Sequence, residues 1–176
     1  MFDSFYPCIS LGCNYRNPFK DAADLLRTDI YRFDTENREF LVEVACYENS
    51  IYIVEYYERA DKDNKSFERY GKLLGDVNAP RIIRTCFELM LDYLVENASA
   101  SFAFMGAPTY VGGEQVEAFE TTKRFKIYRY VAINLLGTES FEQFEDETSS
   151  CYLIANNLTN KEAVRQRAGE ILKSSF

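Results

Sequence analysis

"EFLVEVACYENSIYIVEYYE", residues 39–58, puts an apolar side chain at every second position of its first half, from Phe40 to Cys46, and is rich in β-branched and aromatic residues throughout. In a strand, every second side chain lies on the same face. Over 39–47 one face therefore carries Phe40, Val42, Val44 and Cys46. Over 51–58 one face carries Ile51, Ile53, Glu55 and Tyr57, and the other carries Tyr52, Val54 and Tyr56. Only Glu48, Asn49 and Ser50 separate the two runs. That is too short for a crossover, so the pair is expected to be an antiparallel hairpin. An earlier strand over "IYRFD" (30–34) is expected to join it.

Downstream, residues 59–78 are polar and read as a loop with a short helical turn. In "PRIIRTCFELMLDYLVEN" (80–97), Ile83, Phe87, Met90, Leu91 and Leu94 recur at helical spacing. Pro80 suits the first turn of that helix, Asn78 or Ala79 its cap, and Asn97 its stop. "ASFAFMGAP" (100–108) reads as a buried strand. A loop with Gly112 and Gly113 leads to a helix over 121–136, and Gly137 ends it. "SFEQFEDE" (140–147) and "SCYLIAN" (150–156) read as a strand pair. A last helix follows, with Thr159 as N-cap and Glu162 at capping-box spacing. Upstream, residues 1–20 read as irregular, and a short helix is expected from Pro18 to Arg27. The expected fold is α/β (α+β), a mixed, mostly antiparallel central sheet flanked by helices in a single domain, 1–176.

The 176 residues carry a net charge of −8, which argues against a nucleic-acid partner, since that needs a broad basic footprint. No apolar run reaches the ~20 residues that span a membrane, and the N-terminus lacks the basic and apolar regions of a signal peptide. A cytoplasmic protein is expected, with its five cysteines as reduced thiols. The "C-x4-C" of Cys8 and Cys13 has no second pair, so no metal is expected. The chain has no histidine. Ser-His-Asp and Cys-His sites are therefore excluded, and acid–base work falls to Glu, Asp, Tyr, Lys, Cys or water.

The order of hairpin, long helix, strand, helix and strand pair resembles the core of the GNAT acyltransferase superfamily over residues 30–156. Family members often carry a tyrosine in the helix after a splayed strand, and it protonates the leaving CoA thiolate. In "MGAPT" followed by "TTKRFKIYRYVAINLLG", Tyr128, or else Tyr130, stands where that tyrosine would be. The family's pyrophosphate motif, Q/R-x-x-G-x-G/A, is absent, since Gly71 and Gly75 in "RYGKLLGDVNAP" are spaced differently. The resemblance implies acetyl-CoA or another acyl-CoA as cofactor. It places Arg81, Arg84, Gly75 and Asn78 at the end of the long helix where the phosphates would lie.

The residues themselves leave alternatives open. Two arginines in a first helical turn oppose the macrodipole unless an anion is near, yet Arg84 could pair with Glu88 and Arg81 with Asp76. Lys123, Arg124, Lys126 and Arg129 read either as a charged surface beside acidic flanks or as a rim for an anion. Glu43 and Glu55 interrupt apolar strands. Either one, facing the sheet centre, would have a raised pKa and could act as a general base; on a wet face it would not. Catalysis by Tyr128 and Glu55 and a non-catalytic, GNAT-shaped binding protein are the two functional expectations. The partners expected are a small-molecule amine, a protein, or a second copy in a homodimer.

Overall fold

The computed structural model describes residues 4–72, 75, 78–174 and 176. Its elements are β1 (Ile9–Tyr15), β2 (Leu25–Asp34), β3 (Glu39–Tyr47), β4 (Ile51–Glu58), α1 (Glu68–Gly71), α2 (Ala79–Glu96), β5 (Ser101–Met105), β6 (Tyr110–Val111), β7 (Glu114–Gln115), α3 (Lys123–Leu135), β8 (Phe141–Asp146), β9 (Cys151–Asn156) and α4 (Lys161–Leu172). Seven strands form one sheet in the order β1-β2-β3-β4-β5-β9-β8, and β6 and β7 form a separate ribbon. Every neighbouring pair in the large sheet is antiparallel except β4 and β5. The mixed, mostly antiparallel sheet flanked by helices is the expected architecture.

The alternation of the hairpin explains why the sheet can be covered on both faces. Phe40, Val42, Val44, Cys46 and Val54 join Phe102, Phe104, Tyr152 and Ile154 under α2 and α3. Ile51 and Ile53 join Ala103, Leu153 and Ala155 under α4, against Val164, Ala168 and Leu172. β9 is buried on both faces, as a strand between two helical layers must be.

Side chains fix the helix starts. Asn78 Oδ1 accepts the Arg81 N–H at 3.1 Å, and Pro80 occupies the first turn of α2. Thr122 Oγ1 accepts the Phe125 N–H at 3.1 Å and donates to the Gly106 carbonyl at 2.7 Å, which ties the start of α3 to the end of β5. Only glycine fits there, because a Cβ on Gly106 would stand 2.5 Å from the Phe125 nitrogen. Gly137, just past α3, has φ +70, the left-handed conformation of a helix stop.

Three expectations are corrected. Residues 9–15 are a strand rather than irregular, because their backbone pairs with β2 from Ile9↔Arg32 to Tyr15↔Arg27. No helix forms over 18–27, because Leu25 already pairs with Tyr47 as the first residue of β2. The cap of α4 is Asn160, whose Oδ1 accepts the Ala163 N–H at 3.2 Å, while Thr159 donates its hydroxyl to the Asn156 carbonyl at 2.7 Å.

Candidate functional site

The site begins as a gap in the sheet. The parallel ladder of β4 and β5 runs through Ile51↔Ser101, Tyr52↔Phe102 and Ile53↔Ala103 and then stops. β4 continues to Glu58 and β5 to Met105, so the two strands run on unpaired with each other beyond Ala103. A cavity of about 230 Å³ lies at this divergence. Its lining includes Val54, Glu55 and Tyr56 of β4, Met105 of β5 and Tyr128 of α3, with Phe67 and Tyr70 on one side and Ile171 to Lys173 on another.

Glu55 and Tyr128, far apart in the chain, thus line one cavity. Strand alternation sends Glu55 to the α4 face of the sheet, directly opposite Glu43 in the β3–β4 ladder. Tyr57 donates its hydroxyl to Glu43 Oε1 at 2.5 Å, and Tyr70 donates to Glu55 Oε2 at 3.1 Å. Arg69 lies over the Tyr57 and Tyr70 rings, 4.4 and 4.5 Å from their centroids. Glu55 is exposed to solvent, yet many protein atoms surround its carboxyl. That desolvation pushes its carboxyl above the usual range; the Tyr70 hydrogen bond works the other way, and the charge of Glu43 adds to the rise. Tyr70 itself is pushed up to about 12 by burial and by Glu55.

A raised carboxyl binds its proton more tightly in the folded chain than in the unfolded one. Its penalty on stability is therefore absent at low pH and grows as pH rises through the folded value. Glu55→Gln should raise the melting temperature at pH 8 and leave it nearly unchanged below about pH 4, where the unfolded carboxyl is also protonated. Thermal melts of both proteins across that range test the sign.

Tyr128 is buried, packed edge-on against Phe104 with ring centroids 4.6 Å apart. Burial raises its phenol well above the ordinary tyrosine value, so it stays a proton donor. The Tyr56 hydroxyl interacts with both Tyr128 and Arg124. Arg124 is not part of a solvated stripe. It donates Nη1 to the Ala107 carbonyl at 3.3 Å and Nη2 to the Lys72 carbonyl at 3.2 Å, and its buried Nε has no hydrogen-bond partner. Arg129, by contrast, pairs with Glu145 at 3.2 Å and Glu147 at 3.8 Å on the surface, which is local charge balance.

The residues expected at the end of the long helix have other partners. Arg81 stacks over the Tyr6 ring at 3.9 Å and donates to the Phe5 carbonyl at 3.2 Å. Arg84 pairs with Glu88 one turn on. Asn78 commits its side-chain oxygen to the cap, and Gly75 is exposed. Asp76, the alternative partner for Arg81, lies outside the described residues. A smaller recess of about 70 Å³ beside the first turn of α2 is lined instead by Arg69, Lys72 and Arg124, together with Glu58, Tyr56 and Ile82.

Sequence reasoning passed over Tyr56, Phe67, Tyr70 and the inward course of Arg124. The aromatic pair Phe67 and Tyr70, three apart in an otherwise polar segment, was the available signal. Among the described residues no three of His, Cys, Asp and Glu group as metal ligands, and no helix is long and apolar enough to cross a membrane. Compared with family models, with curated proteins and with solved structures, the chain finds no match in any of the three.

Proposed function

We propose that this chain is a GNAT-like protein that transfers an acyl group from acyl-CoA to an amine in the cavity between β4 and β5. One observation carries the reading: a carboxylate with a raised pKa, Glu55, and a buried phenol, Tyr128, line the same cavity where the sheet splays. The element order and the splayed strand support it, being the arrangement that the resemblance implies. The phosphate arm would fall to Arg69 and Arg124 in the neighbouring recess, which the Lys72–Glu58 ion pair also lines.

CoA supplies the activated acyl thioester. Glu55 takes the proton from the attacking amine nitrogen as the N–C bond forms, and Tyr128 gives its proton to the departing sulfur as the C–S bond breaks. A carboxylate raised toward neutrality suits that task better than an ordinary one, because base strength rises with pKa. The rate should therefore climb with pH through the raised Glu55 value.

A second reading, a GNAT-shaped binding protein without catalysis, is favoured by a different observation. Gly71 and Lys72 of this chain lie against Pro108 and Tyr110, across the gap through which a pantetheine arm would pass. Release of free CoA thiol from acetyl-CoA, measured with a panel of primary amines, separates the two. Tyr128→Phe should lower turnover about 100-fold, the usual scale of general-acid catalysis, and Glu55→Gln should remove the acid limb of the pH profile. Turnover unaffected by either substitution contradicts the assigned roles, and no turnover with any amine favours the binding protein.

A further inference from the structure

Residues 59–72, which follow β4, run past the splayed ends of β4 and β5. From the end of β4 the segment turns through residues 59–61, forms α1, and reaches the far side of the gap at Lys72, whose backbone bridges Tyr110 beyond β5. Three contacts hold it there. Gly71 sits so close to the Pro108 carbonyl that a Cβ would stand 1.9 Å from the oxygen. Lys72 Nζ reaches back to Glu58 Oε2 at 3.2 Å and Asp61 Oδ2 at 3.1 Å, tying the far end to the near one. Arg124 donates to the carbonyls of Ala107 and Lys72 together, joining the edge of the gap to the segment that crosses it.

The burial along the segment fits a cover with one inner face. Gly71 is buried and Tyr70 half-buried, while Lys62, Lys65 and Ser66 are exposed. Phe67 and Tyr70 meet edge to face at 5.8 Å and wall the larger cavity, and Arg69, Tyr70 and Lys72 wall the smaller one. Both cavities are thus closed on this side by the same stretch of chain. Arg124 is a costly latch, because its half-buried guanidinium meets carbonyl dipoles rather than a carboxylate. A ligand that offers an anion to Arg124 would compete directly with the Lys72 carbonyl.

We propose that residues 59–72 form a strap across the β4–β5 gap, latched by Arg124, and that lifting the strap widens the entrance through which ligands reach the cavity. The inference deepens the reading of the cavity as a ligand site, but the strap itself is tested without any ligand. Trypsin cuts at Lys62, Lys65 and Arg69, and such cutting tracks the population of the opened state when closing is fast. Arg124→Ala removes two charge-assisted hydrogen bonds and should speed cleavage within 62–69 by about tenfold, with cleavage elsewhere unchanged. Lys72→Ala releases the other tie and should act in the same direction. If Arg124→Ala loosens the whole fold, amide exchange on the wild-type chain decides instead: strap amides 67–72 should exchange well before those of β4 and β5.

Cleavage and exchange of 62–72 no faster than the core, in wild type and both variants, would overturn the strap. The coupling to ligand is read with coenzyme A as the probe, which should bind Asp61→Asn, a variant that loosens the Lys72 tie and lines neither cavity, with a faster association rate than wild type. Faster cleavage with no coenzyme A binding by any variant would leave the strap standing and remove the acyl-CoA reading.

Discussion

Phe104→Ala should destabilise the protein by about 3–5 kcal/mol, the usual cost of emptying a buried aromatic site. Phe104 is 2 % exposed and joins the sheet to both covering helices. Its ring stacks on Tyr152 at 5.5 Å, meets Phe87 of α2 at 5.8 Å and meets Tyr128 of α3 at 4.6 Å. These neighbours belong to three elements fixed by their own pairings and caps, so they cannot collapse fully into the space left behind. The variant also removes the surface against which Tyr128 is held. Urea unfolding at neutral pH measures the loss, and a loss below about 1 kcal/mol would mean that the ring is not the hub its contacts describe.

Asp29→Ala should cost about 3 kcal/mol at neutral pH, on the scale seen when one member of a partly buried ion pair is removed. Asp29 accepts from Arg27 at 2.7 and 3.1 Å, from the Tyr93 hydroxyl at 2.6 Å and from the Cys46 thiol at 3.4 Å. Tyr31 and Tyr93 share a further hydrogen bond at 3.0 Å. The cluster pins the last turns of α2 to β2 and β3, so losing the carboxylate strands three donors at once. Burial works to raise the Asp29 carboxyl, but the hydrogen bonds from Arg27, Tyr93 and Cys46 outweigh it and hold it low. The sign follows from a depressed folded value: the stabilisation is full above about pH 4, the unfolded value, and fades as pH falls through the folded one. Wild type and variant should differ by the full amount at pH 7 and converge toward pH 2. A difference that does not shrink on acidification would contradict the charged role.

Much of this arrangement was legible in the sequence where a single period governs a long run. Alternation over 39–58 placed Glu55 and Tyr57 on one face and Val54 and Tyr56 on the other, and the helical spacing of Ile83, Phe87 and Met90 gave α2. The edge strand β1 was not legible, because all seven of its residues are exposed and exposure leaves no alternating pattern to read. The start of β2 misled for the opposite reason. Ala22, Leu25 and Leu26 imitate one helical turn, and only long-range pairing with Tyr47 makes Leu25 extended.

The same limit holds at the site. Glu55 could be named because it interrupts an apolar strand, and Tyr128 because of the place it holds in the resemblance. Arg124 was named only as one of four cations on its helix, because beside Lys123 and Lys126 nothing in the sequence marks it as the one that turns inward. Its partners are the carbonyls of Ala107 and Lys72, 17 and 52 residues away in the chain. Arg81 was drawn the other way by Phe5 and Tyr6, which the sequence gives no reason to place at the start of α2.

The measurement that tests the central claim most directly is a thermal-shift titration with acetyl-CoA and with free CoA, using ATP as an anion control. Ligand at 100 times its Kd should stabilise the fold by about 2.7 kcal/mol, which is a clear rise in melting temperature. A rise with both CoA species and none with ATP is the result predicted for an acyl-CoA site between β4 and β5. An unchanged melting temperature at millimolar CoA would contradict it, and the cavity of Glu55 and Tyr128 would then belong to a different ligand.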